Sequence, residues 1–128
     1  MNSDCLVLSN RIEIPDLLRI ARQPDSVAWE PFREGVEIHR LYGDGETGPW
    51  AALLRYAPGG CIPRHEHLGY EHIFVLAGSQ RDEAGELRVG TLAIHPPGTQ
   101  HEVVSDTGCI ALAIYERPVR FLETTDLH

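Results

Sequence analysis

Four residues carry donor atoms at spacings that suit a metal ion: His65, His67, Glu71 and His101. His65 and His67 stand two apart. On a strand, residues i and i+2 face the same side, roughly 6.6 Å apart at the backbone. Two imidazoles held that way can converge on one ion, each at about 2.1 Å. Leu68-Gly69-Tyr70 is a candidate tight turn that brings Glu71 back as an oxygen donor. His101, beyond the corner at Pro96-Pro97-Gly98, can add a further nitrogen. Three His and one Glu leave one or two positions open around a six-coordinate ion, and such mixed donors suit Fe(II), Mn(II), Ni(II) or Zn(II).

Strands must position these donors. Val27–Phe32, Val36–Tyr42, Trp50–Tyr56, Cys61–His67, Glu71–Ala77, Ser79–Glu83, Glu86–Val89, Thr91–His95, His101–Ser105 and Cys109–Glu116 read as extended pieces. Turn signals recur every eight to twelve residues or so, which marks an all-β sandwich or barrel. Twelve Gly and nine Pro supply the corners. Pro15–Arg22 reads as one or two helical turns, with Pro15 near the first helical position, and Gln23-Pro24-Asp25-Ser26 ends it. The expected division is an N-terminal extension over 1–26, a barrel domain over 27–123 and a tail over 124–128. The extension is expected to pack on the barrel or exchange with a partner chain.

The donor residues resemble the two motifs of the cupin superfamily. The first is Gly, five residues, His-x-His, three or four residues, Glu, six residues, Gly; Gly59, His65, His67, Glu71 and Gly78 fit it. The second is Gly, five residues, Pro-x-Gly, two residues, His, three residues, Asn. Gly90, Pro96, Gly98 and His101 fit it, and Ser105 stands at the Asn position, which supports a turn and is not a ligand. The resemblance implies a jelly-roll β-barrel (a double-stranded β-helix, RmlC-like) holding one metal through His65, His67, Glu71 and His101. More narrowly, Pro58 through Gly78, Asp82-Glu83 and the Thr107-Gly108-Cys109 turn resemble the cupin domain of ChrR-type anti-sigma factors, over Trp29 to Phe121. Those regulators also carry an N-terminal zinc-binding domain. The leader here is too short for it and contains no His, so sigma-factor binding is not expected.

Other residues border the expected site. By alternation Cys61 should point into the lumen, as a redox-active thiol or a small core residue. Cys109 opens the last strand and could face it. Tyr56 and Tyr70 are candidates for the mouth of the site, to bind a substrate or to pack. His72 should face away from Glu71. His95 could buttress the Pro96 corner or orient a ligand imidazole, or lie at the surface. Arg55 and Arg64 are expected to be solvated.

Composition narrows the function. The chain has 128 residues and a net charge of −8, which disfavours nucleic acid and anionic membrane as partners. All eleven basic residues are Arg, and without Lys there is no Schiff-base chemistry. Cys5, Cys61 and Cys109 are widely spaced and odd in number, as in a reducing, cytoplasmic setting rather than a disulfide scaffold. No apolar run is long enough to span a bilayer, and no secretory signal is evident. Two roles are expected. One is a ChrR-like metal-binding module sensing a small molecule or an oxidant, with zinc as its natural ion. The other is an Fe(II) dioxygenase cleaving a C–C bond of a small carbonyl or aromatic hydroxyketone. Whether the chain is an enzyme is left open between them. A homodimer is expected, with Leu6, Val7, Leu8, Ile12 and Ile14 of the leader as apolar surface to bury.

Overall fold

The computed structural model describes residues 10–122, so Cys5, Leu6, Val7, Leu8 and the expected tail lie outside it. Helix α1 (Leu17–Arg22) is followed by a 3₁₀ turn at Pro24–Ser26. The strands are β1 (Glu30–Arg33), β2 (Val36–Tyr42), β3 (Trp50–Tyr56), β4 (Cys61–Glu66), β5 (Glu71–Asp82), β6 (Gly85–Arg88), β7 (Leu92–His95), β8 (Gln100–Val104), β9 (Cys109–Tyr115) and β10 (Arg120–Phe121). All pairings are antiparallel, in the order β1-β2-β3-β9-β5-β8-β4-β10, with β6 and β7 also on β5. This is the all-β jelly roll that the motifs imply, with its short helix on the N-terminal side.

β5 makes the roll by belonging to both halves. Its first part, Glu71–Gly78, pairs with β9, and its last part, Ser79–Asp82, pairs with β6. The sequence suggests two strands broken at Gly78, but a single one runs through it. Gly78 has φ +68°, and a Cβ there would sit 2.0 Å from the Gly108 carbonyl oxygen. Glycine therefore lets the strand turn from one sheet to the other while touching the β8–β9 loop. Ser105 holds that junction: its Oγ donates to Ser79 O at 2.6 Å and accepts from Gly108 N–H at 2.9 Å. The serine thus fulfils the turn-supporting role expected at that motif position.

The core has two layers. Inside the roll lie Val36, Ile38, Trp50, Ala52, Leu54, Tyr56, Ile73, Val75, Val103 and Ala111, among others. Outside, Ile20 of α1 packs on Leu53, Leu76 and Ile110. β3 is consequently buried on both faces, which explains its unbroken apolar run from Trp50 to Leu54. The helix is fixed by Asp16, whose carboxylate accepts the Arg19 N–H at 3.2 Å. Its cover is incomplete. Leu92, Ile94 and Ile114 remain exposed on the outer sheet face.

Candidate metal centre

Strand register assembles the site. β4 pairs with β8 so that His65 stands directly opposite His101. β7 pairs with β5 so that His95 stands opposite Glu71. His67 follows β4, with its N–H on Thr99 O at 2.9 Å and its carbonyl accepting Gly98 N–H at 2.8 Å. His65, His67, Glu71 and His101 are all buried.

The outer partners set the tautomers. His65 Nδ1 faces Pro63 O at 2.8 Å, a pure acceptor. His101 Nδ1 faces Asp82 Oδ2 at 2.8 Å, another acceptor. His67 Nδ1 faces Thr99 Oγ1 at 2.9 Å, whose proton goes to Pro96 O at 2.7 Å, so that oxygen accepts as well. Each ring therefore carries its proton on Nδ1 and turns an Nε2 lone pair inward. His65 Nε2 and His101 Nε2 lie 3.1 Å apart. Two lone pairs at that distance repel unless a cation lies between them.

The donors form overlapping sets. Nitrogens of His65, His67 and His101 lie within 4.8 Å of one another. Glu71 gathers with His67 and His95, and Asp82 with His95 and His101. Glu71 Oε1 is 3.1 Å from His67 Nε2 and 3.0 Å from His95 Nδ1. All three atoms are buried and make no well-aligned hydrogen bond. Orphaned buried polar atoms are costly, and this donor chemistry fits a divalent transition metal.

Electrostatics follow the neighbours. Burial is the main force lowering His65, to about 4, and it lowers His101 too, against the pull of Asp82. Both imidazoles are thus neutral and ready to ligate near pH 7. Asp82 is lowered, its burial offset by His101 and by the Ala84 N–H. The contact with Glu71 raises His95.

Apolar walls close the lumen beside the donors. Trp50 stacks on Tyr115 with ring centres 4.3 Å apart, and Phe121 sits 5.6 Å from His65. The remaining cavity is about 20 Å³, room for one water molecule. Tyr56 borders it, as does Gln80, whose buried amide oxygen has no partner. Burial pushes the Tyr56 phenol well up, so it stays protonated.

Two site-lining expectations differ from the structure. The register of β4 slips between Ile62 and His65, so Ile62 and His65 both turn inward and Cys61 does not line the cavity. A bulge of this kind breaks the alternation that pointed Cys61 at the metal. Burial, with Glu102 and Glu34 nearby, raises the Cys61 thiol, and burial pushes Cys109 up to about 12. Neither is an activated thiolate, and both are free. Tyr70 is 47% exposed on the outer face, in a groove with Tyr42, Ile94 and Ile114. His72 faces away from Glu71 onto that same groove, as alternation requires. Arg55 is not simply solvated: it bonds Glu37 at 2.7 Å and Asp25 at 3.2 Å. Arg64 pairs with Glu83. The inward pointing of His95 was not decided by the sequence, since it depends on which strand β7 joins.

An all-antiparallel jelly roll with imidazoles gathered on one inner wall defines the chain as a cupin. It belongs to the ChrR cupin-like domain family, whose pattern matches residues 18–119 and so takes in most of α1. No curated protein matches the chain. Among solved structures it resembles the Rhodobacter sphaeroides complex of SigE with the anti-sigma ChrR, at 30% identity and a TM-score of 0.67. That match covers 88% of this chain but only 63% of the other, so the chain spans just under two thirds of that relative. An RmlC-like cupin from Ralstonia eutropha JMP134 shares 22% identity, with a TM-score of 0.69, covering 80% of this chain and 71% of that one. An acetylacetone dioxygenase from Acinetobacter johnsonii shares the fold at 17% identity and a TM-score of 0.72, covering 92% and 80%. Among the described residues no helix is long and apolar enough to cross a membrane.

Proposed function

We propose that the chain binds one divalent transition metal through His65, His67, Glu71 and His101 and uses it to sense a small molecule or a small oxidant. The carrying observation is the set of three inward Nε2 lone pairs, each fixed by an acceptor behind its ring. A bound metal supplies a Lewis-acidic position inside the barrel. Pro63, Thr99 and Asp82 hold the imidazoles in the ligating tautomer. The apolar wall excludes bulk water, and the Gln80 amide oxygen can accept a hydrogen bond from a ligand bearing O–H. A cavity of about 20 Å³ suits a ligand the size of water or peroxide. Sensing through Cys61 loses support, since that thiol does not border the cavity.

A second reading rests on the same donors, which suit Fe(II) as well as Zn(II). It is a dioxygenase acting on a small diketone or hydroxyketone, as the name of the Acinetobacter relative suggests for that protein. The small cavity disfavours it, because substrate and O₂ would both need room. Metal analysis of untagged protein prepared without chelator separates the two. Zinc at one equivalent, lost in His101→Ala, with no O₂ uptake on adding diketones, supports sensing. Iron at one equivalent with diketone-dependent O₂ uptake supports the enzyme. No metal, and none taken up on titration, sinks both. The exposed Tyr42, Ile94 and Ile114 face also supports the expected homodimer; a monomeric sedimentation coefficient at micromolar concentration counts against it.

A further inference from the structure

The first strand pairs slip in register twice, and an arginine stands at each slip. The β1–β2 pairing shifts between Pro31 and Arg33, and the β2–β3 pairing between Arg40 and Tyr42. Bulges of this kind re-aim side chains and gather beside functional sites. Here Arg33 and Arg40 line one groove outside the barrel, of about 400 Å³. We propose that this groove binds a monocarboxylate with an apolar body. The site goes beyond the metal reading and does not depend on it.

Three observations carry it. First, the two guanidinium groups are short of acceptors. Arg22, Arg55, Arg81 and Arg120, among others, each hydrogen-bond a carboxylate. Arg33 uses one N–H on Phe32 O at 2.8 Å, and Arg40 has Glu30 only at 3.7 Å, beyond hydrogen-bond reach. Among the described residues their other N–H groups meet no protein acceptor. Second, Arg33 is held in place. Its guanidinium lies over the Phe121 ring at 4.1 Å and the Phe32 ring at 4.5 Å. Stacking fixes the plane and leaves an N–H edge free to grip a carboxylate with two parallel hydrogen bonds. Third, the groove is built like a small-molecule site. Such sites run from about 300 to 1,000 Å³, mostly apolar with a few placed polar groups. Phe32, Trp50, Val119 and Phe121 supply apolar lining, and the same four side chains border the lumen cavity.

The remaining charges narrow the ligand. Asp44 and Glu46 also line the groove. Asp44 is committed to its own loop, accepting the Glu46 and Thr47 N–H groups at 2.8 Å each. The two acids balance the two arginines, so the groove has no net field to draw in a dianion such as phosphate. Recognition is therefore local: donors for a single carboxylate, beside aromatic surface for its body.

The test follows the two indole N–H signals of the ¹⁵N-labelled full chain in its metal-free form. Trp29 donates to Pro24 O at 2.8 Å and lies outside the groove, whereas Trp50 lines it; Trp29→Phe assigns the pair. Benzoate is expected to move the Trp50 signal saturably and to leave that of Trp29 in place. Benzamide has the same shape without the charge and should bind at least about tenfold more weakly, since hydrogen bonds to a charged acceptor are the stronger ones. Arg33→Gln and Arg40→Gln, both at exposed positions, should each weaken benzoate about tenfold and leave benzamide unchanged. No shift with benzoate, equal affinity for benzamide, or full benzoate affinity in both variants would overturn the proposal. A Trp50 shift with inorganic phosphate at lower concentration than with benzoate would overturn the carboxylate assignment. The comparison of benzoate with benzamide needs no variant to fold. A negative result leaves the metal reading standing, and loss of the metal reading leaves the groove standing.

Discussion

The two ends of the imidazole cluster use the same residue type in opposite ways. His65 and His101 stand across the β4–β8 ladder, pinned by an acceptor each, and burial drives both toward the neutral form. His67 and His95 stack at the other end around a buried carboxylate, and His95 is driven toward the charged form. Strand pairing and burial decide the first end; a single carboxylate decides the second. An imidazole's charge inside this barrel is thus set by its depth at one end and by a neighbouring carboxylate at the other.

Removing one end should cost more than trimming its supports. His101→Ala is expected to weaken Zn(II) binding by more than about 100-fold, beyond what loss of an outer partner costs. Isothermal titration checks this, and near-normal affinity would show that the strand-anchored end is dispensable. The ends should also respond oppositely to pH in the metal-free protein. His65 is at about 4 when folded against 6.5 ordinarily. Between these values only the unfolded chain takes up the proton, so stability falls as pH drops through that window, by about 3 kcal/mol. His95 is raised; its contribution is full below its unfolded value and fades as pH rises through its folded one. Imidazole chemical shifts against pH would show this directly. If both rings titrate together near 6.5, the contrast fails.

Asp82 touches both ends, at 2.8 Å from His101 and 3.9 Å from His95. Asp82→Asn should reduce Zn(II) affinity about 10- to 100-fold while leaving one equivalent bound at saturation. The smallest effect is expected far from the cluster. Ile20→Val, on the inner face of α1 in the outer layer, should cost about 1 kcal/mol in urea unfolding and leave metal affinity unchanged. A change in affinity would tie the two layers together.

Much of this was legible in the chain, for local reasons. β2 and β3 begin and end where alternation and the Gly and Pro turns put them, at Val36–Tyr42 and Trp50–Tyr56. The inward burial of His65, His67, Glu71 and His101 follows from motif spacing. What was hidden is non-local. The slip in β4 depends on its pairing with β8, and it exchanges Cys61 for Ile62 on the inner wall. The partnership of Glu71 with His95 depends on β7 docking beside β5. β10 has two residues and no pattern to read.

That shortest strand bears on timing. Arg120 pairs with Glu66 and Phe121 with His65, and the next N–H, on Leu122, bonds Arg64 O at 3.0 Å. Ladders open first at such short, peripheral ends. A ligand that entered past Phe121 would wait on how often a few peptide bonds' worth of chain lifts away, at far less cost than global unfolding. The residence time of the ion and its ligand is then a separate quantity from their affinity. Amide hydrogen exchange at Leu122, measured beside the metal off-rate, would show whether the two share one clock.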